Sequence, residues 1–341
     1  MSHEVLLPSA RRAPLRASWR RLLPAALSLG CVGLLLALFW GRLPTVWRLM
    51  QDADYVPLAL ALAAYLAAIY LQGVRLALVL GACGIRETAW RCTLYTLIGL
   101  FFGNFLPTAV GGDLLKASYA AGRTERLAQA FAATFIDRGL GMLGIVVIGS
   151  TGLALHTGLQ YDGATPWLAP LLVVGFVVVA LLCQARGWGE RAVDAIARLP
   201  LARRLCAPEI ALAYVQLMRA PGVLLATFGL TLVAQAVASL CLWATAWALH
   251  LHLGYPLFLV VLPAMTVASM LPSLNGMGVR EAALVLLLAG LVPEEQALAL
   301  GLVFYGMMLL VSGLGGLVYV LRRPLGLRIN PRLVARFAGE P

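Results

Sequence analysis

Charge is what this sequence has least of: 12% of its 341 residues are Asp, Glu, Lys or Arg, against 61% that are hydrophobic. A soluble domain carries roughly a quarter charged residues, so the deficit excludes a soluble globule and implies an integral membrane protein. Lysine is scarcer still, since Lys116 stands alone and the other 25 basic residues are arginines. The six cysteines, Cys31, Cys83, Cys92, Cys183, Cys206 and Cys241, form no Cys-x-x-Cys pair and fall mostly in or beside apolar runs. They read as small packing residues, neither disulfides nor metal ligands. The four histidines, His3, His156, His250 and His252, show no metal-ligand spacing; His250 and His252, at an expected helix end, fit an interfacial place. No Walker or Gly-rich nucleotide loop occurs, and Ser, His and acid gather nowhere. An enzyme, a resident cofactor and ATP hydrolysis by the chain itself are therefore not expected. The net charge of +11 raises nucleic acid as a partner, but the arginines sit beside apolar runs with no basic-aromatic module between them. That charge reads as membrane topology and attraction to anionic lipid headgroups.

What is present is a series of long apolar runs. A basic tail, residues 1–21, precedes the run Leu22 to Trp40, which is too long for a signal-peptide core of roughly 7–15 residues and reads as a first transmembrane helix. Further spans are expected at 56–80, 127–155, 166–184, 221–249 and 296–321, with residues 41–55 a loop and Arg75 close enough to its span's end to snorkel. Residues 185–220 alternate arginines and acids with Trp188, Val193, Ile196, Leu199 and Leu205, the pattern of amphipathic helices lying on a membrane face. A second basic tail covers 322–341.

Two segments break this pattern. Asn104, Pro107, Gly111, Gly112, Asp113 and Lys116 interrupt one apolar stretch, and Pro272, Asn275, Gly276, Gly278, Arg280 and Glu281 interrupt another. Proline removes a backbone hydrogen bond, so irregular chain at membrane depth is tolerable only inside protein or beside a wet cavity. The flanking arms, Cys92 to Phe105 and Asp113 to Arg126, are too short to cross a core of roughly 30 Å. The segments 92–126 and 256–291 therefore read as re-entrant hairpins.

With six full spans and two hairpins, or eight spans if hairpins are counted, the two tails, 81–91 and 185–220 share one face. That face holds 18 of the 26 basic residues, and the positive-inside rule makes it cytoplasmic, with both termini there. Residues 22–155 and 166–321 then form an inverted repeat whose hairpins enter from opposite sides, the layout in which carriers place a site at the midplane. The expected fold is thus an all-α polytopic membrane protein.

The embedded charges admit two readings. Asp113 is either part of an anion site at a helix N-terminus or that helix's N-cap. Lys116, a compact point charge, suits a phosphate. Asp137-Arg138 and Arg280-Glu281 are adjacent opposite charges whose side chains diverge by about 100° on a helix, so each member can reach a different partner. Arg138 and Arg280 either flank a cavity and hold an anionic headgroup, or these charges pair among themselves to lock the hairpins. Asn104 and Asn275 fit the satisfaction of broken backbone.

Asn104-x-x-Pro107-x-x-x-Gly111-Gly112-Asp113-x-x-Lys116, Asp137-Arg138-Gly139 and Pro272-x-x-Asn275-Gly276-x-Gly278-x-Arg280-Glu281 together resemble the lysylphosphatidylglycerol synthase transmembrane-region family. This is the flippase-like membrane domain of the bacterial multiple peptide resistance factor, and the resemblance covers nearly the whole chain. It implies a membrane domain that moves lipid between leaflets. The chain ends about twenty residues after the last expected span, so the cytoplasmic aminoacyl-transferring domain of the full-length factor is not expected. The leading expectation is a carrier in the bacterial inner membrane for an anionic or headgroup-modified lipid, a polyprenyl-phosphate-linked species among the candidates. The alternative is a non-transporting scaffold that holds a glycosyltransferase or lipid-modifying enzyme through residues 185–220.

Overall fold

The computed structural model describes residues 43–105, 109–122, 126–155, 216–217, 220–270 and 278–327. The spans expected at 22–40 and 166–184, nearly all of 185–220, the first tail, residues 328–341, and Pro107, Asn275 and Gly276 lie outside the described residues. Every regular element within them is an α-helix: α1 (Leu43–Gln51), α2 (Tyr55–Ala82), α3 (Ala89–Phe105), α4 (Ala109–Ala121), α5 (Leu127–Leu155), α6 (Pro221–Ala248), α7 (Tyr255–Ala268), α8 (Val279–Leu287) and α9 (Glu294–Val320). Apolar chain without water must satisfy its backbone internally, and the helix does so within one segment.

Four of these, α2, α5, α6 and α9, are apolar and 27–29 residues long, about 40 Å each and enough to cross a membrane. They coincide with the spans expected at 56–80, 127–155, 221–249 and 296–321. Residues 41–55 depart from the expected loop, because α1 occupies most of them. Val46 is buried there, with Leu49 and Met50 packed on the same core while Trp47 and Arg48 face outward. Spacing of three and four residues gives the helix one apolar face.

α2 and α6 lie side by side and antiparallel. The Asp54 N–H donates to the Ala248 carbonyl at 2.9 Å where α2 starts and α6 ends, and at the other end Ala82 packs against a cluster containing Leu224.

α3 and α4 form a closed helical hairpin. Tyr95 stacks on Tyr119 with ring centroids 5.6 Å apart, and Gly99 faces both the Gly112 carbonyl and the Lys116 stem, so near that a Cβ on Gly99 would meet each at 3.0 Å. This contact corrects the expected boundary. α4 begins at Ala109, so Gly111 and Gly112 are helical, and Asp113 sits in the second turn rather than at the N-cap. Glycine inside a helix costs about 0.5–1 kcal/mol; here the close approach of two backbones offsets it.

The second hairpin pairs α7 with α8. Gly278, at φ +80°, turns the chain into α8, a conformation that strains any side chain. The Gly278 N–H donates to Glu281 Oε2 at 2.8 Å, which satisfies a donor at the helix start. α9 then runs from the foot of α8 to the foot of α3, where Arg91 donates to the Gly326 carbonyl at 3.2 Å. A 27-residue helix thus separates the open ends of the two hairpins, which face opposite ends of the bundle. The arms, 9–17 residues each, reach at most about 25 Å.

Glycines of α5 let neighbouring helices approach closely at several positions. Gly144 abuts Thr231 of α6, and Gly149 and Gly152 admit Pro263 and Leu259 of α7, whereas Gly139 faces open space. On the other side α9 receives α3, with Gly316 under the Phe101 ring and Phe102 edge-on to Tyr319 at 4.8 Å.

Candidate functional site

The interior ends of both hairpins line one cavity of about 310 Å³, where Asp113 and Lys116 of α4, Met265 and Thr266 of α7, Met270 just beyond it and Arg280 of α8 come together. The long helices complete the wall with Tyr65, Gln72 and Arg75 of α2, Asp137, Arg138 and Met142 of α5, Thr231 and Gln235 of α6, and Phe304 and Met308 of α9.

Asp137 and Arg138 reach different partners, as their divergence requires. Asp137 accepts from Arg75 Nε at 2.6 Å, both side chains being buried; Arg75 Nη1 also donates to Thr231 Oγ1 at 3.1 Å. Arg138 donates to Asp113, linking α5 to the first hairpin, and Lys116 Nζ stands 3.7 Å from the other oxygen of Asp113. The Arg75 bond corrects the snorkelling expectation, since the side chain is 6% exposed and spans from α2 to α5 and α6. A buried guanidinium is costly unless paired, and proximity to a helix end does not outweigh a carboxylate within reach.

Arg280 differs. Among the described residues it makes no ion pair, and its Nη1 donates only to the Met308 sulfur at 3.4 Å, an acceptor much weaker than a carboxylate. Among the described residues the cavity wall carries four cations, Arg75, Lys116, Arg138 and Arg280, against two carboxylates, Asp113 and Asp137, an excess of two positive charges. It suits an anion with several acceptor oxygens, a phosphate above all.

Of the residues singled out in the sequence, Asp113, Lys116, Asp137, Arg138 and Arg280 thus share one cavity. Others do not belong to it. Asn104 donates to Ser312 of α9 at 2.6 Å, Gly112 forms the hairpin crossing, Glu281 caps α8 and Gly278 starts it. These contacts hold helices and helix ends together. Arg75, Tyr65, Gln72, Thr231 and Gln235 were missed, although a signal exists: Tyr65, Gln72 and Arg75, like Thr227, Thr231 and Gln235, recur at helical spacing as polar stripes on apolar spans.

The model of the family described as "Lysylphosphatidylglycerol synthase TM region" matches residues 22–316. The chain belongs to that family, as its motifs imply. A comparison with curated proteins gives no match.

Proposed function

We propose that this protein is a flippase-like carrier that moves an anionic or headgroup-modified lipid between leaflets, the headgroup passing through the cavity between the hairpins while the tails stay in lipid. In this reading six spans and two re-entrant hairpins form an inverted repeat in the bacterial inner membrane, with both termini cytoplasmic on the arginine-rich face. The family supports a lipid-handling membrane protein. The observation that carries the reading further is Arg280, a guanidinium that makes no ion pair among the described residues and lines a cavity whose described wall has excess positive charge. Charge held at membrane depth is costly, and a bound anion offsets that cost. Arg138 and Lys116, both held by Asp113, supply a second pair of cations that a phosphate competes for.

The test is headgroup translocation in proteoliposomes with a fluorescent phosphatidylglycerol and a membrane-impermeant quencher. Translocation falls about tenfold or more in Arg280→Ala and Lys116→Ala if each loses one charge-assisted hydrogen bond of roughly 1.5–3 kcal/mol. Unchanged rates in both folded variants reject the carrier role for this cavity.

A further inference from the structure

A second cavity, of about 420 Å³, opens at the end of the bundle where α2, α4 and α9 finish and α3 and α5 begin. It shares no lining residue with the central cavity, so its chemistry stands apart from the carrier reading. Among the described residues, Arg86, Arg91 and Arg126 line it, against one carboxylate, Glu87. Arg91 and Arg126 are anchored by backbone: Arg91 Nη2 donates to the Gly326 carbonyl at 3.2 Å and Arg126 Nη1 to the Gly84 carbonyl at 2.9 Å. Each guanidinium has five N–H donors, so these bonds fix the groups without exhausting them. The Glu87 contact to Arg91, at 3.4 Å, is long for a charge-assisted bond. Arg86 is exposed and makes no hydrogen bond or ion pair among the described residues.

The cavity wall also contains Tyr119, whose hydroxyl is buried without a hydrogen-bond partner although the residue is 1% exposed. A buried hydroxyl left unsatisfied is unfavourable and calls for an explanation. Among the described residues, three arginines and a spare hydroxyl around one hollow thus outnumber their single carboxylate.

We infer that this cavity is a second anion site that takes a phosphate group, carried either by a lipid of the adjoining leaflet or by a small water-soluble phosphate. The guanidinium groups bind the phosphate oxygens and the Tyr119 hydroxyl donates to one of them.

The full chain in detergent is titrated with short-chain phosphatidylglycerol and, separately, with inorganic phosphate, following intrinsic tryptophan fluorescence, in an Arg280→Ala background that weakens the central cavity. Arg86→Ala removes an exposed side chain with no partner among the described residues, and Tyr119→Phe removes one hydroxyl, so both are expected to fold. Each is expected to weaken binding about tenfold, the loss of one bond to a charged group. Lipid binding with that variant pattern assigns a headgroup as the source; phosphate binding with the same pattern assigns a soluble one. If neither probe binds, or if both variants bind as tightly as the parent, the arginines only cap helix ends and the inference is overturned.

Discussion

Replacing Asp137 by alanine strands Arg75 in the bundle, and the geometry sets the size of the effect. The two side chains are 7% and 4% exposed and 2.6 Å apart, so solvent does little to screen the orphaned charge. Removing one member of such a pair costs roughly 3–5 kcal/mol in soluble proteins, and the lower end applies here because an unfolded chain in a membrane also finds partners. Thr231 keeps its bond to Arg75, which retains about 1 kcal/mol. Asp137→Ala is thus expected to lose about 2–3 kcal/mol, near a hundredfold in the folding equilibrium, and Arg75→Ala a similar amount. The double variant Arg75→Met/Asp137→Leu, apolar and of similar volume, recovers to within about 1 kcal/mol of the parent. Unfolding in mixed micelles against the mole fraction of SDS, read by tryptophan fluorescence, measures all four proteins. Single variants within 1 kcal/mol of the parent whose effects simply add would show that the pair does not hold α2 to α5.

Asp113→Asn tests the opposite regime: Asp113 and Arg138 are 22% and 36% exposed, so screening keeps the stability loss below about 1 kcal/mol, while translocation in proteoliposomes changes severalfold because Arg138 and Lys116 lose their resident counter-ion. Gly278→Ala, at φ +80°, destabilises by about 1–2 kcal/mol in the same SDS titration. Gly99→Val drives a branched side chain into the Gly112 carbonyl and the Lys116 stem, separating α3 from α4; a disulfide engineered across Tyr95 and Tyr119, whose rings stack, then forms poorly by gel shift. Just beyond α2, burial pushes the Cys83 thiol up to about 11, so below that pH it stays a neutral thiol, and iodoacetamide at pH 8 is expected to spare it until the protein is unfolded.

The two interruptions were legible because proline, glycine and charge inside apolar runs have few structural solutions. Four long helices were legible from run length alone. Gly111 and Gly112 were misread as irregular chain because the compensation at Gly112, the bare Gly99 on a neighbouring helix, is tertiary. Arg75 was misread for the same reason: its partners lie 62 and 156 residues away, and nothing local distinguishes it from an arginine reaching for headgroups. Glu281 looked like a site residue because an acid in an apolar run stands out, yet its carboxylate is used by the Gly278 N–H three residues before it. Polar stripes on α2 and α6 carried the missing information, and reading every span for helical recurrence of Gln, Thr and Tyr would have recovered them.

The claim on which the rest depends is that the hairpin ends meet at a water-reached, cationic chamber inside the bundle. Thiol labelling measures it directly, with Lys116→Cys and Arg280→Cys placed singly in a chain whose six native cysteines are replaced. A small water-soluble methanethiosulfonate is predicted to label both, and short-chain phosphatidylglycerol to slow the reaction. Failure of both to react, while Arg86→Cys at the exposed end of the bundle labels under the same conditions, would contradict it.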